Sequence, residues 1–243
     1  MNGNDTGEFT LQPGAEENRS DAETRFDTMY IRLRERITLL DYEPGMRISE
    51  EGMAQEFNVS RTPVRRVFSR LEAEGLVEIR HGAGTFVTAV APEDLRAVYL
   101  LRMELIQLID VLSPRPAQDE TIQGMRALQQ QTLEIKGSEN PKRLFALVNM
   151  RMFELMMELV GNAPLREILQ LLFYRTARMW PYLMDDEIVI REAETLYREI
   201  DETVRVLENG QVPTAGHLRR CHIAMALQRL MEMYPLHETR QTE

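Results

Sequence analysis

Ser60-Arg61-Thr62-Pro63-Val64-Arg65-Arg66 is the stretch on which the reading of the chain turns. A serine before a basic turn with an early proline marks a helix N-terminus. Ser60 can cap it, and Pro63 is tolerated in the first turn, where its missing N–H has no partner to lose. Arg61 and Arg65 stand one helical turn apart on one face, while Val64, Val67, Phe68 and Leu71 fall on the other. Such a helix can present its N-terminal turn to the major groove of duplex DNA. Either arginine could grip a guanine with two hydrogen bonds or clamp a phosphate. The hydroxyls of Ser60 and Thr62, next to the helix N-terminus, suit phosphates. By itself an amphipathic helix with exposed arginines is only a solvated helix, so its neighbours decide.

Upstream, Asn58-Val59-Ser60 forms a turn after a short helix that holds Met53, Ala54 and Phe57, with Ser49 as its cap. Before that, Glu43-Pro44-Gly45 breaks the chain, and Phe26, Tyr30, Ile31, Leu33, Ile37 and Leu40 mark a helix over 24–40. Downstream, the helix over 61–74 ends at Gly75, a left-handed cap. Leu76–Arg80 and Thr85–Thr88 are β-prone runs around His81-Gly82-Ala83-Gly84, which predicts a two-stranded hairpin. Its tip, Arg80-His81-Gly82, offers a cation and bare amides where a wing meets the minor groove or the backbone. Residues 23–90 therefore read as a winged helix-turn-helix, with Ala91-Pro92 as a hinge.

Beyond the hinge, periodicity predicts helices over 93–112, 119–136, 142–160, 164–179, 186–208 and 213–233. The breaks fall at Ser113-Pro114-Arg115-Pro116, Gly137-Ser138, Gly161-Asn162, Trp180-Pro181 and Asn209-Gly210. The expected fold is mainly α: an N-terminal winged helix-turn-helix with a small β-hairpin wing, then a C-terminal all-α antiparallel helical bundle over 91–236. Residues 1–22 read as a disordered acidic tail and 237–243 as a second tail.

The totals agree with this division. Of 243 residues, 43% are hydrophobic, enough for a sizeable core, and the single cysteine rules out an internal disulfide. No stretch resembles a signal peptide or a membrane span, so the expectation is a cytoplasmic protein with no membrane partner. The formal net charge is -10, which disfavours a polyanionic partner at first sight. Asp5, Glu8, Glu16, Glu17, Asp21 and Glu23 against Arg19 put about half of that excess in the tail, while Arg61, Arg65, Arg66, Arg70 and Arg80 cluster where DNA is expected.

Ile48-Ser49-Glu50, Met53-Ala54, Val59 through Arg65, Leu71, Glu74-Gly75-Leu76-Val77 and Gly84-Thr85-Phe86-Val87 closely resemble the GntR family of bacterial regulators. The resemblance covers nearly all of 26–88. It implies that Ser60, Arg61, Thr62 and Arg65 contact an operator and that His81 and Gly82 are wing contacts, as in the fatty-acid-responsive branch. Glu51 departs from the pattern, standing where several relatives carry a phosphate-binding arginine. Arg66 replaces a residue that is usually acidic, a change that could compensate.

The helical part resembles the FCD type of effector domain of the FadR branch, through Met152-Phe153-Glu154 to Gly161-Asn162-Ala163-Pro164-Leu165 and through Ala215 to His222-Ile223. Many FCD domains hold a metal with an aspartate and three histidines. Carried over, these positions are Met150, Glu154, Tyr197 and His222, so only the last histidine is kept, and a carboxylate with one imidazole makes a poor zinc site. The expectation is no cofactor and no resident metal, with Glu154 and His222 as a polar pair; a divalent metal at His222 is the alternative.

A ligand pocket remains expected, lined by Arg102, Glu154, Tyr174, Arg175, Tyr197 and His222, with Met150, Met157 and Met225 as adaptable walls. A buried arginine needs a counter-charge, so Arg102 or Arg175 would anchor an anionic effector such as a carboxylate metabolite, unless Glu104 or Asp110 pairs with it. These features predict a transcription regulator, by default a repressor, acting as a homodimer on palindromic double-stranded DNA. Rival readings are a metal-sensing regulator, an architectural DNA-binding protein without an effector, and a bundle enzyme using Glu154, Tyr197 and His222; no nucleophile motif or phosphate loop favours the last.

Overall fold

The structure is a computed structural model. It describes residues 21–242, with side chains placed from 23 to 234. The tail expected over 1–22 lies almost wholly outside the described residues.

The N-terminal domain starts with α1 (Asp21–Thr38), whose Met29, Tyr30, Leu33 and Ile37 form one buried stripe. After a two-residue strand, β1 (Arg47–Ile48), comes α2 (Glu50–Glu56), capped as expected by Ser49, whose Oγ accepts from the Gly52 N–H at 3.1 Å. The turn passes through Asn58 at φ 51°, a left-handed conformation that asparagine tolerates. The helix α3 (Arg61–Ala73) buries Val64, Val67, Phe68 and Leu71 completely against α1 and α2. Gly75 follows it at φ 75°, as a left-handed cap requires.

The wing is β2 (Val77–Arg80) and β3 (Gly84–Val87), paired antiparallel with Val77 opposite Val87 and Arg80 opposite Gly84. The expected two-stranded hairpin is in fact a three-stranded sheet of order β1-β3-β2, with Ile48 opposite Thr85. A strand of two residues carries no alternation, so no periodic signal could reveal it.

The second domain is helical throughout: α4 (Pro92–Ile106), α5 (Asp119–Glu134), α6 (Pro141–Glu158), α7 (Ala163–Ala177), α8 (Met179–Leu183), α9 (Asp186–Glu208) and α10 (Val212–Thr242). It encloses its own core, in which Phe145, Phe153, Phe173 and Trp180 are the large members. Three expectations need correction. Trp180-Pro181 is no break but lies inside α8, where Pro181 falls in the first turn and needs no N–H partner. The last helix continues to Thr242, beyond Met233 and through the expected tail. Ala91-Pro92 is a tethered junction: Ala91 precedes α4, and the Tyr234 hydroxyl donates to the Val90 carbonyl at 2.9 Å.

Candidate nucleic-acid interface and the cavity behind it

The N-terminal turn of α3 faces solvent. The side chains of Arg61 and Arg65 keep 56% and 65% of their surface exposed, and Ser60, Thr62 and Arg66 are exposed too. Ser60 occupies the cap position, but its hydroxyl makes no capping bond; what caps the helix in sequence terms stays available to a ligand. Beside α3 the wing tip exposes His81, Gly82 and Ala83, with Gly82 at φ 73°. Between helix and wing runs a groove of about 670 Å³ lined by Arg47, Arg61, Arg65, Arg80, His81 and Gly82, among others. Four of the six expected DNA contacts (Arg61, Arg65, His81 and Gly82) thus share one groove, and Ser60 and Thr62 stand at the tip of α3. Arg47 was not anticipated. Its guanidinium packs across Gly84, where a Cβ would come within 2.7 Å of Nε, and the backbone there, at φ 118°, favours glycine.

Carboxylates temper these cations. Arg61 pairs with Glu51 at 3.0 Å, Arg65 with Glu50 at 2.9 Å and Arg80 with Glu78 at 2.9 Å. Arg66 stays exposed with its guanidinium 5.3 Å from the Phe26 ring centre.

The far end of α3 is held by the helical domain through α7. Tyr174 donates to Glu154 at 2.8 Å and stacks under Arg34 of α1 at 3.6 Å; Arg70 of α3 lies 3.6 Å over Tyr30, whose hydroxyl donates to Glu74. Arg175 lies directly against Gly75, with Nε 3.3 Å from where a Cβ would stand. Arg178, fully buried, donates to the Thr88 carbonyl at 3.1 Å, to the Thr88 hydroxyl at 2.8 Å and to the Arg175 carbonyl at 3.0 Å. The Thr88 hydroxyl in turn donates to Gly75 O at 2.7 Å. Burial pushes the Arg178 guanidinium down to about 10, so it stays charged near neutral pH.

On the other side of α7 is a partly open cavity of about 30 Å³ among α4, α6, α7, α8, α9 and α10, room for little more than one water. Arg102 enters it from α4. This side chain is 5% exposed, donates to the Thr176 hydroxyl at 3.2 Å and lies over the rings of Tyr99 and Phe173. Among the described residues no carboxylate lies within ion-pair distance of it: Glu104 pairs with Arg220, and Asp110 with His217. Desolvation lowers its pKa, the cost of burying a cation. Across the cavity Arg219 binds Glu199 at 2.9 Å and Arg229 binds Glu192 at 3.0 Å, so three guanidiniums face two carboxylates. Burial raises the Glu192 pKa, against the pull of Arg229.

The other expected pocket residues are scattered. Tyr174 and Glu154 stand at the junction with the N-terminal domain, and Arg175 is exposed there. Tyr197 is half-buried in a surface groove of about 400 Å³ beside Thr132 and Leu133. His222 is buried, with Nε2 2.8 Å from Glu202 Oε2, so the expected pair with Glu154 is replaced by one across α9 and α10. Met150 and Met157 are core, whereas Met225 is 48% exposed and walls nothing. Of the four positions carried over from the metal-binding relatives, Glu154 bonds Tyr174 and His222 bonds Glu202, and among the described residues no three His, Cys, Asp or Glu side chains group as metal ligands. The same scatter separates Glu154, Tyr197 and His222 as acid–base groups. Sequence reasoning missed Thr176, Glu192, Glu199, Arg219 and Arg229. The spacing of Glu192 and Glu199 along the apolar face of α9 was the available signal.

The fold and this face define a winged helix-turn-helix protein with a helical companion domain. Residues 26–87 match the family described as bacterial regulatory proteins, gntR family. The chain is 25% identical over 175 residues to an uncharacterized HTH-type transcriptional regulator, YdhC, of Bacillus subtilis (strain 168), covering 70% of this chain and 78% of that one. It is 36% identical over 62 residues to the HTH-type transcriptional repressor RspR of Escherichia coli (strain K12), 26% of this chain and 27% of that one. In fold it is similar to E. coli McbR/YncC, with a TM-score of 0.72 at 15% identity over 86% of this chain and 98% of the other. It also resembles a GntR transcriptional regulator from Rhodococcus sp. RHA1, at 0.67 and 18% over the same shares. Among the described residues no helix is long and apolar enough to cross a membrane.

Proposed function

We propose that the protein is a cytoplasmic transcription regulator, by default a repressor, of the FadR branch with an FCD-type domain. It acts as a homodimer on a palindromic operator, and its DNA affinity is set by a small anionic ligand, a carboxylate, bound in the helical domain without a resident metal. The observation that carries the DNA-binding part is the open groove between α3 and the wing, with Arg61, Arg65, His81 and Gly82 on its walls. Two such helices on a dimer reach half-sites about one turn of DNA apart. Selection from a randomised duplex library is expected to enrich a palindrome; a library that emerges unenriched contradicts the reading.

The ligand part rests on Arg102, a buried guanidinium that has a hydroxyl and two aromatic faces but no carboxylate among the described residues. The cavity as it stands is too small for an organic acid. A ligand there binds only a more open arrangement of α4, α7, α9 and α10, and that difference in affinity is what a ligand needs in order to shift an equilibrium. Thr176, which holds Arg102, shares α7 with Arg175, against Gly75, and Arg178, which binds Thr88, caps the end of that helix. In a thermal-shift screen of mono- and dicarboxylic acids, at least one is expected to raise the melting temperature of the wild-type chain but not of Arg102→Ala, which keeps its DNA binding. Equal responses from both proteins defeat the assignment.

A further inference from the structure

The groove that carries the DNA-facing arginines also carries acids. Glu50 and Glu51 are fixed at the start of α2 by the Ser49 cap, and they face α3 across the helix-turn-helix. The geometry singles them out: Glu51 Oε2 stands 3.0 Å from an Arg61 nitrogen, and Glu50 Oε2 stands 2.9 Å from Arg65 Nε. All four side chains line the same groove. A surface meant only to attract phosphates would gain from arginines alone, because attraction to the backbone is sequence-independent and grows with each neutralised phosphate. Here the two arginines at the helix tip each have a carboxylate within bonding distance, on the side that approaches DNA.

We propose that Glu50 and Glu51 determine sequence specificity: they hold Arg61 and Arg65 in ion pairs that arbitrary duplex breaks at a loss and that the correct base edges replace. The proposal rests on the reading that α3 enters the major groove. Solvated ion pairs are weak, so a guanine presenting O6 and N7 to one arginine displaces the carboxylate, whereas a phosphate, which can also pair with a guanidinium through two oxygens, is repelled by that same carboxylate. The freed carboxylates then lie close to the backbone, where they repel any duplex that does not return a base contact. Their position in the first turn of α2 also suits the helix dipole. That purely structural role predicts lower stability in their absence and unchanged discrimination between duplexes.

The test uses the full chain, the duplex most enriched by the wild-type protein and a scrambled duplex of equal length, titrated over a range of salt. In the Glu50→Gln/Glu51→Gln double variant, affinity for the scrambled duplex is expected to rise about tenfold. Its logarithmic salt slope should steepen by about one to two, as up to two arginines gain phosphates. The preference for the selected duplex falls accordingly. Two results overturn the proposal while leaving the DNA-binding reading intact: wild-type affinities and slopes for both duplexes, or an equal gain on both that preserves the preference. If the wild-type chain selects no sequence at all, that reading fails and takes this one with it. Should the double variant fail to fold, Glu51→Gln alone, which releases only Arg61, is expected to show the same change at about half the salt effect.

Discussion

At the scale of single residues, His222 illustrates how a buried titratable group reports on its surroundings. It is packed between α9 and α10 with Glu202 on Nε2, Arg219 and Glu199 nearby, and no partner for Nδ1 among the described atoms. Burial, reinforced by Arg219, lowers its pKa below the ordinary 6.5. Below pH 6.5 the unfolded chain therefore takes up a proton that the folded chain resists. Stability is full above that value and declines as the pH falls through it, until the folded form also protonates. Glu192, raised by burial, works in the opposite sense above 4.5, so the comparison must be between proteins. Chemical denaturation at pH 7.5 and 5.5 should show a smaller acid loss for His222→Gln than for the wild type; equal losses would refute the buried neutral imidazole. The sequence marked His222 as important but assigned it the wrong partner. Which carboxylate faces it depends on how α9 and α10 pack, which no local spacing encodes.

At the scale of elements, α7 is the one whose role only the structure reveals. Its helical character is plain from Pro164 and the apolar repeat, and the structure adds a cap at Asn162, whose Oδ1 accepts from the Leu165 N–H at 2.9 Å. What it touches was not: Thr176 meets a residue of α4 far away in sequence, and Arg178, the residue that caps its end, reaches back to Thr88. The recognition helix was legible because its signals are local: a cap, a proline, a buried stripe and a glycine stop. The strand β1 and the helix α8 were illegible for the converse reason, being too short to have a period. Gly75→Ala tests the contact between α7 and α3. The residue sits at φ 75°, and an added Cβ would press on Arg175. A destabilisation of about 1–2 kcal/mol is expected from the left-handed backbone, together with altered affinity for the selected duplex. An alanine variant as stable as the wild type would mean that neither constraint operates.

At the scale of the whole molecule, two cores meet at a junction crossed by part-buried hydrogen bonds from Arg178 to Thr88 and from Tyr234 to Val90. The net charge of -10 coexists with an arginine-lined groove because charge acts locally, over about a Debye length of 8–10 Å. Composition could therefore permit DNA binding but not argue for it, and the cluster of arginines in one short stretch had to do so. The helical domain shows the limit from the other side. Its helices were readable from period and punctuation, yet of six residues expected to line one pocket only Arg102 lines the central cavity.

The central claim is that Arg61 and Arg65 read base edges. It is tested most directly by equilibrium binding of the wild-type chain, Arg61→Ala and Arg65→Ala to the selected duplex and to its scrambled counterpart. Each substitution is predicted to cost about 1–3 kcal/mol on the selected duplex and to narrow the difference between the two. Binding curves that superimpose on those of the wild type for both duplexes would contradict the account.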